Sequence, residues 1–161
     1  MPLPSSGVII YIIQDSREKS PLSFHNKPYI EGVKVQKLDA GDYSIVFSDG
    51  FEPPIVFERK EVFEIFGTLS KGFSRFKKEL LRAKNKELQV IILVNGSLNK
   101  VLQGSPFSKR SPESIVKQIF TLMIKYNIWT AFMASKEEMA EFIYQYALAY
   151  ARARNKVAKT D

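Results

Sequence analysis

Cysteine is absent from the 161 residues, which removes disulfides, thiolate zinc sites and cysteine nucleophiles and suits a reducing compartment. Histidine occurs once, as His25, and a chain with one histidine is poorly equipped for a serine-triad mechanism. His25 reads as an ordinary, partly exposed residue rather than a general base. The longest early apolar run, V-I-I-Y-I-I at residues 8–13, is far short of the roughly 20 residues that cross a bilayer. It is also short for a signal sequence, and the acid-base cluster after it suits neither role. No G-X-X-X-X-G-K-[S/T] phosphate loop occurs, so no nucleotide-driven motor of that kind is expected.

What is present is a well-filled core and a surplus of positive charge. Hydrophobic residues make up 45% and aromatics 12% of an 18.4 kDa chain, enough for one core and too little for two ordinary domains. Twenty-four Lys and Arg stand against 17 Asp and Glu, a net charge of +7, which favours a polyanionic partner, nucleic acid first among them. Residues 1–7, rich in Pro and Ser, read as a loose leader, residues 8–151 as one domain, and residues 152–161 as a basic, flexible tail. An intracellular protein is expected: cytoplasmic in a prokaryote or virus-infected cell, nuclear if eukaryotic.

Residues 8–13 predict a central strand buried on both faces, since the run is continuous and β-branched. Pro21, Pro28 and Gly32 mark a loop with at most a short helix near Ile30, before an alternating strand at residues 33–38. Two apolar runs follow, at residues 43–47 and 55–57, separated by an acidic link with Pro53 and Pro54, and the three strands from 33 to 57 read as a meander. Helices are predicted over 62–69 and 73–88, a core strand over 89–94, a polar loop over 97–112 and a helix from Ser111 to about Tyr126. A short strand at 128–133 and a Ser135-capped helix complete a mixed sheet flanked by helices, an α/β fold.

Charged residues gather at the strand ends. Asp42 opens one apolar run; Glu58, Arg59 and Lys60 close the next. Phosphodiester hydrolysis needs carboxylates to hold a divalent ion and a cation near the attacking water or the developing charge, and an acid, a spacer and Glu-X-Lys supply those parts. Taken alone, such a pattern also fits a solvated hairpin end with surface ion pairs. Asp15, Ser16, Arg17 and Glu18 similarly end the first strand, as a capped turn or as part of the same acidic site. The helix at 73–88 presents Arg75, Lys77, Lys78, Arg82, Lys84 and Lys86, a face that suits either solvent or phosphate.

Gly41-Asp42, then Glu58-Arg59-Lys60, preceded by D-S-R-E at 15–18 and followed by G-F-S-R-F-K-K-E at 72–79, resembles the nuclease signature of the XPF family of structure-specific endonucleases, which includes archaeal Hef-type enzymes. Glu64 departs from it, standing where the family usually has Asp. The resemblance covers about residues 8–150 and implies a restriction-endonuclease-like core. It further implies a metal-dependent DNA endonuclease acting on branched, flapped or forked DNA in repair or recombination. Asp42 and Glu58 would bind Mg²⁺ or Mn²⁺ with the Arg59 backbone carbonyl, and Lys60 would serve the attacking water. Asp15 and Glu18 would complete the acidic cluster, reaching a second ion or a metal-bound water, and Arg17, Arg59 and Arg75 would hold phosphates or the carboxylates themselves. On the basic helix face Lys77 and Lys78 are further candidates for DNA. Glu64 and Glu79 take supporting places. The G-X-G hairpin pair that many family members carry after the nuclease is not found. Two other functions fit the same pattern: a noncatalytic DNA-binding subunit, and a junction resolvase or restriction-type nuclease. Apolar residues on the last two helices, with the family's habit of pairing there, imply a homodimer.

Overall fold

The computed structural model of the chain describes residue 7 and residues 9–160, with side chains as far as residue 154. Apart from Gly7, the leader read at residues 1–7 lies outside the described residues. In chain order the elements are β1 (Ile10–Asp15), β2 (Ile30–Gln36), β3 (Tyr43–Phe47), β4 (Ile55–Glu61), α1 (Val62–Thr68), α2 (Phe73–Asn85), β5 (Gln89–Asn95), α3 (Leu98–Leu102), α4 (Pro112–Tyr126), β6 (Trp129–Met133) and α5 (Lys136–Thr160). The strands form a six-stranded sheet in the order β2-β1-β3-β4-β5-β6. β1 runs parallel to β2 and antiparallel to β3; β3 and β4 are antiparallel; β4, β5 and β6 are mutually parallel.

Side chains that alternate along the central strands feed two cores, one on each face. Ile55 and Phe57 of β4 join Ile91 and Leu93 of β5 under Met139, Ile143 and Ala147 of α5. Val56, Val90, Ile92 and Val94 point the other way, beneath Phe66 of α1, Leu80 of α2 and Ile119 of α4. That arrangement is why the strand sequences read as unbroken apolar runs rather than alternating ones. Ser111 and Ser135 cap their helices as expected, accepting the Ser114 N–H at 3.2 Å and the Glu138 N–H at 3.1 Å. Among the described residues no helix is long and apolar enough to cross a membrane.

Five local expectations are corrected. The strands are not a meander: β2 lies outside β1, where its largely exposed Val33, Lys34 and Val35 are tolerable on an edge strand and would not be inside. Ile30 begins that strand and forms no helix. α2 stops at Asn85 because Glu87 adopts φ 58°, and the Leu88 and Glu87 N–H groups return to the Ala83 and Lys84 carbonyls at 2.9 and 3.0 Å. This is a Schellman stop made without glycine. Within the polar loop, Ser97 caps the short α3, accepting the Lys100 N–H at 3.0 Å. At the C-terminal end, backbone placed in a tail from 152 onward continues α5 to Thr160, consistent with its Ala, Arg and Lys content.

Candidate active site

The site forms where β3 and β4 part. Their register holds at Tyr43 opposite Phe57, and Asp42 donates its backbone N–H to the Phe57 carbonyl at 2.8 Å. Beyond that point β4 continues alone along β5, leaving residues 58–61 with an open edge on the β3 side. Gly41 delivers Asp42 into that opening with φ 78°. A Cβ at Gly41 would lie 2.7 Å from the Val56 Cβ, so both the left-handed conformation and the close approach to β4 require glycine. The Asp42 carboxylate then accepts the Arg59 N–H at 2.8 Å, bridging the parted strands.

Glu58 and Lys60 alternate to the same face of β4. Lys60 Nζ lies 3.2 Å from Glu58 Oε1 and 3.2 Å from Glu64 Oε1. Glu58 is 6% exposed. Its second oxygen, Oε2, is buried and has no hydrogen-bond partner. Burial, followed by repulsion from Asp42 and Glu79, pushes Glu58 well above the usual carboxylate range; a carboxyl–carboxyl hydrogen bond with Glu79 adds to the rise, and the single Lys60 cation does not offset them. Burial also raises Asp42 to about 6, against the pull of the Arg59 N–H. Lys60 is shifted upward: burial works against its charge, but Glu58 and Glu64 outweigh it. The two central acids are thus crowded carboxyls on which negative charge is held at a cost, an arrangement typical of functional sites.

Four of the other carboxylates in the groove are already partnered. Asp15 is 3% exposed, and both its oxygens are engaged: Oδ2 by Arg17 Nε at 2.9 Å, and Oδ1 by the Leu38 N–H at 2.8 Å and Arg17 Nη2 at 3.2 Å. Burial raises its pKa, but these bonds prevail and hold it below its ordinary value. Glu18 pairs with Arg59 Nη1 at 3.0 Å, and the same nitrogen reaches the Ser20 carbonyl at 2.7 Å. Glu79 accepts the Gly41 N–H at 2.9 Å, fixing the turn that carries Asp42. Glu64 spends Oε1 on Lys60 and Oε2 on the Glu61 N–H at 3.3 Å, so it caps α1 and steadies the lysine together.

Asp15, Arg17, Glu18, Asp42, Glu58, Arg59, Lys60, Glu64, Arg75 and Glu79 all line one groove of ≈ 860 Å³. Lys77 and Lys78 do not line it; they are exposed elsewhere on α2. Sequence reading named Arg82 only as part of the basic face of α2 and did not bring Phe76 to the site. Arg82 donates to the Asp39 carbonyl at 3.1 Å on the groove wall, and its spacing from Arg75 and Glu79, seven and three residues, already places all three on one helix face. The Phe76 ring lies beneath Lys60, with Nζ 5.6 Å from its centroid. Its apolar spacing gave only its core role.

A divalent cation fits this chemistry. Among the described residues no group of three acidic side chains is gathered as a ready-made cage, but an unpartnered, buried carboxylate oxygen beside a second strained carboxylate offers the hard oxygen donors such ions prefer. Asp42 and Glu58 would be the residues to hold it, since Asp15 and Glu18 are paired with arginines.

Comparison with known proteins places this geometry in context. The family model described as the ERCC4 domain matches residues 14–146. The chain is similar to the solved structure of XPF from Aeropyrum pernix, with a TM-score of 0.66 and 19% identity over 92% of this chain and 69% of that one. It is likewise similar to XPF from Aeropyrum pernix in complex with DNA, at a TM-score of 0.63 and 22% identity, covering 91% of this chain and 65% of that one. The chain therefore spans about two thirds of the length of these structures. No curated protein matches. The mixed sheet with flanking helices is the restriction-endonuclease-like fold of the XPF nuclease domain.

Proposed function

The chain belongs to the ERCC4 domain family, a nuclease family, and from that premise we propose that it is a divalent-metal-dependent endonuclease. It hydrolyses phosphodiester bonds in branched, flapped or forked DNA during repair or recombination. One observation carries the reading: the buried Glu58 Oε2 receives no N–H or O–H donor and has only the crowded Glu79 carboxyl near its own, although it lies in a groove with Asp42 and Lys60.

Mg²⁺ or Mn²⁺, held by Asp42 and Glu58, would polarise the scissile phosphate and lower the pKa of water. The Arg59 carbonyl is a third donor: in an extended strand a residue's N–H and C=O share one edge, and the Arg59 N–H points at Asp42. Lys60, oriented by Glu58 and Glu64, places a positive charge where the attacking water and the five-coordinate phosphorus develop negative charge. Water adds to phosphorus as the P–O bond to the leaving strand breaks, and the departing oxygen takes up a proton. Arg75 and Arg82 on the opposite wall suit flanking phosphates, while Asp15 and Glu18 hold Arg17 and Arg59 in position. The neighbour solved in complex with DNA supports a nucleic-acid partner, as does the +7 charge.

The active species is a homodimer in this reading. Much of the apolar surface expected to be free on the last helices is internal: Ile115, Ile119, Leu122, Ile143 and Leu148 are buried. What remains outside is Phe120 and Ile124 of α4 and Trp129 at the start of edge strand β6, a patch suited to association.

The test is cleavage of flap, fork, four-way junction and intact duplex at identical salt with Mg²⁺ or Mn²⁺. Preferential cutting of flaps and forks is expected. Binding without cutting would make the chain a noncatalytic subunit, and preference for four-way junctions or plain duplex would make it a resolvase or restriction-type enzyme.

A further inference from the structure

Phe107 is 84% exposed and Phe63 is 45% exposed, and the two rings meet edge to face with centroids 6.0 Å apart at 75°. Neither belongs to either core cluster. The loop that holds Phe107 is nevertheless built. Phe107 donates its N–H to Ser105 Oγ at 3.1 Å, and Arg110 donates its N–H to Ser108 Oγ at 3.2 Å. The Arg110 guanidinium reaches the Leu69 carbonyl at 2.8 Å, Gln118 Oε1 at 2.6 Å and Ser114 Oγ at 3.3 Å. Arg110 therefore ties the loop both to α4 and to the residue that ends α1, the helix bearing Phe63. Polar structure is being used to hold a phenylalanine out in water.

The position suggests the occupant. Neither ring lines the groove, but Phe63 adjoins Glu64, which does and which holds Lys60 at 3.2 Å, so the pair stands beside the groove on the α1 side. Exposed Lys109 flanks Phe107, exposed Lys71 lies just beyond α1 and exposed Lys100 is on α3, so cations stand on the Phe107 side while the exposed carboxylates Glu61 and Glu64 flank Phe63. Apolar rings bordered by cations match a nucleic-acid strand with free bases: the rings stack bases and the cations meet phosphates, without sequence preference. A paired duplex keeps its base faces covered and has little to offer the rings.

Accepting the nuclease reading above, we propose that Phe63 and Phe107 form a base-stacking site for an unpaired DNA strand leaving the groove. The test measures binding, with the divalent ion replaced by Ca²⁺, of a fork carrying 2-aminopurine in its unpaired arm and of a fully paired duplex of equal length. Stacking in wild type should quench the 2-aminopurine. Phe107→Ala and Phe63→Ala should each abolish the quench and weaken fork binding roughly five- to hundredfold, the range for one base stacked on an aromatic ring, with duplex affinity unchanged. Phe107→Trp should retain both, and Phe107→Leu, equally apolar but without a π face, should retain neither. Retention by Phe107→Leu would identify an apolar contact or protein-docking surface and overturn the proposal, as would equal losses on fork and duplex, or no loss. Wild type that binds neither DNA would refute the nucleic-acid reading itself, a result distinct from normal binding that ignores the rings. Phe107 is too exposed for its replacement to threaten the fold, and unchanged thermal melting of each variant checks this.

Discussion

Asp42→Asn should make the metal-free protein more stable while abolishing its activity. Burial raises the Asp42 carboxyl from 3.8 to about 6, so at neutral pH the folded state holds an anion that the unfolded chain would hold more cheaply. At about 1.4 kcal/mol per pH unit the shift corresponds to about 3 kcal/mol, and partial exposure with charge sharing toward Glu58 reduces it to about 1–2 kcal/mol. Asparagine is isosteric and its oxygen can still accept the Arg59 N–H that Asp42 accepts at 2.8 Å. In a chain of this size the gain amounts to a melting temperature about 2–8 °C higher at pH 7.5. Its sign with pH is fixed: a raised carboxyl pKa means the folded protein binds the extra proton, so the cost is complete above about 6 and disappears as pH falls toward 3.8. Thermal melts in chelator at several values between pH 4 and 8 should therefore show the variant's advantage shrinking to nothing at the acid end. Adding Mg²⁺ or Mn²⁺ at pH 7.5 should stabilise wild type by about 2.7 kcal/mol at a hundred times the dissociation constant, and should leave the variant nearly unmoved. An Asp42→Asn protein that melts lower than wild type at pH 7.5, or whose gain is the same at pH 4, would refute the assignment of Asp42 as a buried anion awaiting a cation.

Lys60→Ala and Glu58→Ala should each slow single-turnover cleavage by at least about a hundredfold, with DNA binding affected far less; rates within about threefold of wild type would remove β4 from the chemistry. Replacing Lys77 and Lys78 together by Ala should lower the slope of log affinity against log salt by roughly one to two, and an unchanged slope would make that exposed face of α2 a solvated one. Light scattering at micromolar concentration should give about twice 18.4 kDa, falling to the monomer in Ile124→Lys or Trp129→Lys. A wild-type mass of 18.4 kDa that persists on concentration would end the dimer proposal.

Much of the fold was legible because its central strands are buried on both faces. Continuous runs such as residues 8–13 and 90–94 stand out from polar surroundings, and serine caps at Ser111 and Ser135 mark two helix starts. What escaped notice depends on partners distant in sequence. That β2 should lie outside β1 follows from which neighbour covers each edge, and local alternation carries no such information. The end of α2 rests on Glu87 at positive φ, where glycine would have announced the stop.

At the site, spacing identified the charged residues, while only the family resemblance set Asp42 and Glu58 apart from Asp15 and Glu18. Asp15, Glu18, Asp42 and Glu58 are all carboxylates at strand ends, and spacing treats them alike. Folding separates them by supply of donors. Asp15 receives Arg17 and the Leu38 N–H, and Glu18 receives Arg59; both are satisfied, and adding a cation to either would have to displace an arginine. Asp42 receives a single backbone N–H, and Glu58 retains an oxygen with none. A dication should therefore go to the second pair, since it gains their unbalanced charge without breaking an existing bond. The difference arises because β4 outruns β3: the ladder that would have clothed residues 58–61 ends at Phe57, and a gap between two strands becomes a place where negative charge is held ready.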